Sequence, residues 1–185
     1  STIVGGWGGL NQTQTRMIMA FSSIAHMGWL ITAMTISPTL TTLTMMTYMI
    51  LTTATFIPLS TMTKTITDTG TTWPLSPPTL TTTMITLMSL GGLPPLTGFM
   101  PKWLILKELS SMGLMFLATM ILLSSLPSLF FYIRMAYLSM LTTPPATTNT
   151  EHSWRFKLPQ STITAVMIMS SVSLLPLTTT LYTTT

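Results

Sequence analysis

Lys102 is the residue of this sequence best placed for chemistry, because it directly follows an interrupted apolar run. Residues 90–101 read Leu-Gly-Gly-Leu-Pro-Pro-Leu-Thr-Gly-Phe-Met-Pro. If this run lies in a membrane, the lysine charge costs about 2.5–3.5 kcal/mol on insertion scales. Desolvation disfavours the ammonium, so a lysine held there can take up and lose a proton near neutral pH. We interpret Lys102 as a candidate proton relay, and the alternative is a structural lysine that reaches the membrane interface.

The glycines and prolines of the run predict a broken helix. A proline inside a helix lacks the N–H that the carbonyl four residues earlier needs, so the three prolines would free the carbonyls of Leu90, Gly91 and Thr97. Lipid offers no partner for such a carbonyl, so the break must be buried in protein or line a wet cavity. Transporters place ion sites at such breaks, and the alternative is a plain kink or loop. The backbone positions concerned are Gly91, Gly92, Pro94, Pro95, Gly98 and Pro101.

His26 is a second candidate proton relay. Ser22 and Ser23 precede it by four and three residues, so the three side chains share one face of a helix. Hydroxyls beside an imidazole could hold water, and an unperturbed pKa near 6.5 suits a proton shuttle. The alternative is a histidine that hydrogen-bonds between helices only for packing.

Glu108 is a weaker candidate. It lies six positions after Lys102, or about 240° around a helix, so the two side chains face different directions. We interpret Glu108 and its neighbour Lys107 mainly as interfacial charges.

The composition indicates a membrane protein. Lys, Arg, Asp and Glu make up 5% of the 185 residues, whereas soluble domains carry about 25%. The many threonines and serines are tolerated in lipid because their hydroxyls bond to carbonyls one helical turn back. The basic residues are scattered singly, which argues against nucleic acid as a partner. Without cysteine, these residues hold no disulfide, thiolate zinc site or ordinary iron–sulfur ligation.

Hydropathy predicts an all-α integral membrane fold with about five transmembrane helices. A span needs about 20 apolar residues. The predicted spans are 15–36, 39–59, 79–113 (the broken one), 114–141 and 160–182. We expect residues 1–185 to form a single membrane domain that is part of a longer subunit, with 1–10 as the tail of a preceding span.

The distribution of basic residues predicts the orientation. If the five spans cross the membrane in alternating directions, the polar loops 60–78 and 142–159 lie on the same side. Five basic residues then lie on that side and one, Lys107, lies on the other. By the positive-inside rule that side faces the compartment of synthesis. Tyr132 and Tyr137 fall towards a predicted span end, as residues of an aromatic belt do.

Three segments carry a family resemblance. The segments Gly-Gly-Trp-Gly-Gly-Leu-Asn-Gln-Thr-Gln (5–14), Ser-Ser-Ile-Ala-His-Met-Gly-Trp (22–29) and residues 91–103 resemble the subunit 2 family of animal mitochondrial NADH dehydrogenase, in order and spacing. The antiporter-like subunits 4 and 5 share the broken helix in looser form. The resemblance runs the length of the chain.

The resemblance implies a fold of two inverted five-helix repeats, each with a broken helix, plus accessory helices. This chain would hold most of the second repeat and the last helix. Lys102 would correspond to the proton-translocating lysine and His26 to a histidine of the hydrated central axis. The family's relay residues of the first repeat have no counterpart here. Met17 stands where a basic residue is common, and Lys107 where a neutral one is.

The resemblance also implies a function and a location. The chain would be a proton-translocating membrane-arm subunit of NADH:ubiquinone oxidoreductase (complex I), in the mitochondrial inner membrane, with loops 60–78 and 142–159 in the matrix. It would hold no cofactor or metal, since NADH, flavin, iron–sulfur clusters and ubiquinone would bind elsewhere in the complex. Its partners would be neighbouring membrane-arm subunits and phospholipids. The alternatives are a membrane scaffold without a relay and a related cation/proton antiporter subunit.

Overall fold

The computed structural model describes residues 1–62, 65, 77–94, 96–143 and 169, and these residues form six α-helices. Within the same residues no strand forms, and an isolated β-bridge joins Gln14 to Thr65. The predicted all-α membrane fold is confirmed. In chain order the helices are α1 (Thr2–Gly9), α2 (Thr15–Ile36), α3 (Pro38–Met62), α4 (Pro77–Gly91), α5 (Phe99–Ser111) and α6 (Met115–Leu141).

Three of the helices are long and apolar enough to cross a membrane: α2, the Pro38–Ser60 part of α3, and α6. Helices α4 and α5 have 15 and 13 residues, so each is shorter than the ~20 residues that a crossing needs. Together with the residues between them they occupy the place of the predicted broken span. The predicted span 160–182 and most of the loops 60–78 and 142–159 lie outside the described residues, and the orientation stays a prediction.

Many of the threonine and serine hydroxyls are satisfied within their own helices. The Thr47 hydroxyl donates to the carbonyls of Leu43 and Thr44, and Thr53 makes the same pair of bonds to Met49 and Ile50. These bonds run one turn back along the helix, as the composition predicted. A helix rich in threonine can therefore lie in an apolar environment without unpaired hydroxyls.

Two separate apolar clusters hold the helices together. The first half of the broken helix, α4, belongs to one cluster, and the second half, α5, belongs to the other. The first cluster joins α4 to the first half of α2 and the last halves of α3 and α6, and the second joins α5 to the last half of α2 and the first half of α6. The break between α4 and α5 therefore lies at the level where one cluster gives way to the other. The first cluster consists of Ile18, Met19, Leu51, Leu59, Leu80, Met84, Leu87, Leu90, Phe131, Tyr132, Met135 and Ala136. The second consists of Trp29, Ala33, Ile105, Leu109 and Ala118.

The prediction for Tyr132 was wrong. Its side chain is only 1% exposed and belongs to the first cluster, whereas Tyr137 is 61% exposed. Tyr132 lies nine residues before the end of α6 at Leu141, or about 14 Å into the helix. At this depth Tyr132 cannot lie at the membrane interface, where an aromatic belt would be.

The glycines of α1 allow close helix packing. A side chain at Gly5 would meet the α2 backbone at Phe21 and Ala25, and one at Gly9 would meet the ring of Phe131 on α6. Small residues let backbones approach in membrane domains, where the gain comes from van der Waals packing. Helix α1 therefore packs closely against both α2 and α6.

Candidate functional site

The broken helix stops at Gly91 and restarts at Phe99. Gly92 has φ +85°, in the left-handed region that favours glycine, and its N–H donates to the Ser89 carbonyl at 2.9 Å. The predicted break is therefore present, but it ends earlier than the predicted limit at residue 101. Pro101 lies in the first turn of α5, where helical N–H groups lack partners in any case, so the helix tolerates it.

A buried polar contact closes the break. The Ser89 hydroxyl lies 2.9 Å from the hydroxyl of Thr97, and the Gly98 N–H donates to the Ser89 hydroxyl at 3.2 Å. All three residues are buried. A side chain at Gly98 would overlap the Ser89 carbonyl, so the start of α5 packs against the end of α4 without room for a β-carbon. Pro94 lies within the break, and Pro95 is outside the described residues.

Lys102 turns back towards the break. Its ammonium donates a hydrogen bond of 3.0 Å to the Gly91 carbonyl and lies 5.8 Å from the centre of the Trp29 ring. The Gly91 carbonyl is one of those that the prolines were predicted to free. An ammonium is favoured at a helix C-terminus, because the exposed carbonyls there carry partial negative charge. The break therefore provides the lysine with its acceptor.

A cavity of about 40 Å³ lies beside Lys102, between α2, α3 and the two halves of the broken helix. This volume has room for on the order of three water molecules. Its polar lining consists of Lys102, His26, Tyr48, Thr44 and Thr47. The two threonine hydroxyls donate to their own helix carbonyls, which leaves their oxygens able to accept from water.

His26 faces the same cavity from α2. It lies eleven residues after Thr15 and ten before Ile36, or about 15 Å from either end of the helix. Its Nε2 is 3.4 Å from the Tyr132 hydroxyl, and its ring centre is 5.0 Å from that of Tyr48. The cavity thus brings the two predicted relay candidates, Lys102 and His26, to one site.

A narrower crevice lies on the other side of these residues. His26, Trp29 and Lys102 line it as well, opposite three serines of α6 and Thr2 of α1. The crevice has no room for a water molecule as it stands. Lys102 and His26 therefore stand between a cavity that can hold water and a tighter crevice with a hydroxyl-bearing wall. The serines are Ser124, Ser125 and Ser128.

Glu108 is not part of the cavity. The lining of the cavity on α5 ends at Ile105, one turn before Glu108. The Glu108 carboxylate lies 3.5 Å from the Ser111 hydroxyl near the end of α5. Among the described residues, no group of three or more His, Cys, Asp or Glu side chains could hold a metal ion.

Several lining residues were not identified from the sequence. Thr44, Thr47 and Tyr48 lie at helical spacing on one face of α3, which is a signal for a polar stripe. Threonine is so frequent in this helix that the stripe does not stand out. Tyr132 gave no such signal, because only the packing of α6 against α2 brings it to His26.

Comparisons with known proteins agree with this architecture. A family model described as "NADH:quinone oxidoreductase/Mrp antiporter, TM" matches residues 1–147, and one described as "NADH dehydrogenase subunit 2 C-terminus" matches residues 129–182. The chain is 50% identical to NADH-ubiquinone oxidoreductase chain 2 of Carassius auratus over 180 residues, covering 96% of this chain and 52% of the relative. It is 47% identical to the same-named chain of Gallus gallus over 178 residues, covering 96% and 51%. The chain thus spans about half the length of the curated relatives it matches.

The fold is also found among solved structures. A chain of respiratory complex I from Thermus thermophilus, solved with bound aureothin, superposes with a TM-score of 0.72. The superposition covers 95% of this chain and 43% of that chain, at 21% sequence identity. At this identity the similarity concerns the fold.

Proposed function

The chain belongs to the NADH:quinone oxidoreductase/Mrp antiporter membrane family, in its NADH dehydrogenase subunit 2 branch, and we propose that it carries a proton relay of the membrane arm of NADH:ubiquinone oxidoreductase. Lys102 is the central group of this relay and His26 its partner. The relatives at about 50% identity are named as chain 2 of that enzyme. Proton translocation by this chain is our inference from the site.

The observation that carries the proposal is the hydrogen bond from Lys102 to the Gly91 carbonyl beside a cavity with room for water. A lysine with only a structural role is expected to be dry and paired with a carboxylate. Among the described residues, the recorded partners of the Lys102 ammonium are a backbone carbonyl and an aromatic ring. Without a carboxylate partner the ammonium is easier to deprotonate, which favours the relay over the scaffold alternative.

The chemistry follows from the two forms of the lysine. The charged ammonium rests on the Gly91 carbonyl at the C-terminal end of α4, where the helix dipole favours positive charge. When a proton passes to cavity water, the neutral amine is no longer held by that dipole and can turn into the cavity. His26 lines the same cavity and has one nitrogen to receive the proton.

The remaining chemistry of the enzyme lies outside this chain in our proposal. NADH, flavin, iron–sulfur clusters and ubiquinone bind to other subunits, and this chain contributes no cofactor or metal ligand. Its partners are neighbouring membrane-arm subunits, including other antiporter-like ones, and phospholipids. Its location is the mitochondrial inner membrane, with the loops 60–78 and 142–159 in the matrix.

Lys102→Met and Lys102→Arg in the assembled enzyme test the proposal. Methionine keeps much of the volume but cannot titrate, and a guanidinium cannot be deprotonated in the relevant pH range. We expect both variants to assemble and to pump fewer protons per electron pair, with slower quinone reduction, as measured by proton stoichiometry and turnover in vesicles. Lys107→Met, on the exposed face of the same helix, is the matched control and should pump normally. Normal pumping by an assembled Lys102→Met enzyme would overturn the relay and support the scaffold alternative.

A further inference from the structure

Trp29 presents its ring to the Lys102 ammonium. The Nζ atom lies over the indole, 5.8 Å from the ring centre, which is within the roughly 6 Å over which the negative face of an aromatic ring attracts a cation. Tryptophan attracts cations more strongly than the other aromatic side chains, and the attraction is larger where water is removed. Trp29 is only 5% exposed, so the contact is of the stronger kind.

Packing fixes the position of the indole. Trp29 belongs to the second apolar cluster, together with residues of α5 and α6. One of these residues, Ile105, follows Lys102 by three positions, so the two side chains lie on one face of α5. The ring therefore lies in a cluster with the helix that carries the lysine, and it cannot turn away without leaving that cluster.

Trp29 also lies where the cavity and the crevice meet. Both are lined by the same three side chains, His26, Trp29 and Lys102. His26 precedes Trp29 by three residues, so both side chains project from one face of α2. The indole thus occupies the boundary between a cavity that has room for water and a crevice that has none.

We propose that Trp29 is a positioning residue of the relay, whose ring holds the charged Lys102 side chain at this boundary and releases the neutral one. The proposal rests on the proposed function, because it concerns the position of the group that carries the proton. The Gly91 carbonyl and the indole both attract a positive charge. When an Nζ–H bond breaks and the proton passes to a water molecule of the cavity, both attractions are lost together. The amine can then turn, and the return of a proton restores its position.

Trp29→Leu and Trp29→Phe in the assembled enzyme test the proposal. Leucine is apolar but has no negative ring face, so the rate of proton pumping in vesicles should fall about fivefold, the factor that corresponds to one lost cation–π contact. Phenylalanine keeps a smaller ring and should lose about half of the rate. Trp103→Leu is the matched control, because it makes the same change at a more exposed tryptophan next to Lys102, and it should pump normally. Equal rates of Trp29→Leu and Trp29→Phe would overturn the role of the ring face.

Fluorinated tryptophan separates the attraction from the packing of the ring. Fluorine withdraws electrons and weakens the negative face, with little change in size. Enzyme from cells grown on mono- and difluorotryptophan should pump progressively more slowly. The same growth of the Trp29→Phe enzyme, in which the other tryptophans are still fluorinated, should show no such trend. An equal trend in both enzymes, or none in either, overturns the proposal, and this series decides the outcome if Trp29→Leu does not assemble.

Lys102→Met distinguishes failure of this proposal from failure of the proposed function. Normal pumping by an assembled Lys102→Met enzyme overturns the relay and this proposal with it. Impaired pumping by Lys102→Met, together with a normal rate in Trp29→Leu, overturns the role of Trp29 alone. If both are impaired, adding Trp29→Leu to Lys102→Met should cause no further loss, because the ring then has no cation to hold. A further loss would assign the ring to packing and overturn the proposal.

Discussion

Helix α2 and the broken helix bring a titratable side chain to the same cavity in two different ways. Helix α2 is continuous through His26, and the histidine relies on hydroxyls and rings of neighbouring helices. The α4–α5 segment interrupts its backbone, and Lys102 is bonded to a main-chain carbonyl. An imidazole can be neutral, so side-chain hydroxyls suffice for it, whereas an ammonium removed from bulk water needs a stronger acceptor. The comparison indicates that the break is needed because it exposes a backbone carbonyl that can bind the charged lysine.

The strongest test of this comparison is Gly98→Val, which should prevent the two halves of the broken helix from meeting. A β-carbon there overlaps the Ser89 carbonyl, and a backbone atom cannot move aside as a side chain can. We expect a destabilisation above ~3 kcal/mol, beyond the usual range for an overpacked core, and loss of most assembled enzyme on native gels. Gly113→Ala is the control: Gly113 has φ +76° with nothing near its β position, so only about 1–2 kcal/mol of backbone strain is expected. Equal assembly of the two variants would show that close packing at the break is unimportant.

Gly92→Ala should show the effect of moving the lysine ammonium while the fold is kept. Gly92 has φ +85°, and its β-carbon would lie 2.9 Å from the Lys102 Nζ. We expect the enzyme to assemble in somewhat reduced amount but to pump several-fold more slowly, because the ammonium is pushed away from the Gly91 carbonyl. Gly91→Ala is a matched control, since its β-carbon would make ordinary contacts with Tyr132 at 3.7 Å and the carbonyl is kept. If the two variants pump alike, the carbonyl contact is not important for the relay.

Ser89→Ala should have the smallest effect of the three. The substitution removes the acceptor of the Gly98 N–H and the partner of the Thr97 hydroxyl. Leaving the buried Gly98 N–H without its acceptor costs about 1–3 kcal/mol, so the purified enzyme should lose this subunit at a lower temperature, with pumping at low temperature nearly unchanged. Ser110→Ala, at a serine on α5 that bonds only to its own helix, should leave the dissociation temperature unchanged. A Ser89→Ala enzyme as stable as wild type would mean that water replaces the hydroxyl at the break.

The sequence predicted the surroundings of Lys102 better than those of His26. The break was predictable because proline geometry and glycine flexibility are local properties of the chain. The partner of Lys102 was only half predictable: the Gly91 carbonyl was expected to be free, but not to accept from this lysine. For His26, Ser22 and Ser23 indicated the polar face, whereas Tyr132 was assigned to an aromatic belt. Tyr132 lies 106 residues from His26 in the chain, and no local pattern reports such a contact.

The amino-acid sequence was enough to predict a membrane-crossing chain, the long helices of its described residues, the position of the break and the lysine that follows it. These features depend on hydropathy and backbone geometry, which act over about one turn or one span. Only the packing of the helices shows which carbonyl accepts from Lys102, which tyrosine lies at His26, and that both side chains line one cavity. The same packing shows that the glycines of α1 allow close contact with two helices. These contacts join residues far apart in the chain, and they exist only when the packing of two apolar clusters fixes how the helices face each other.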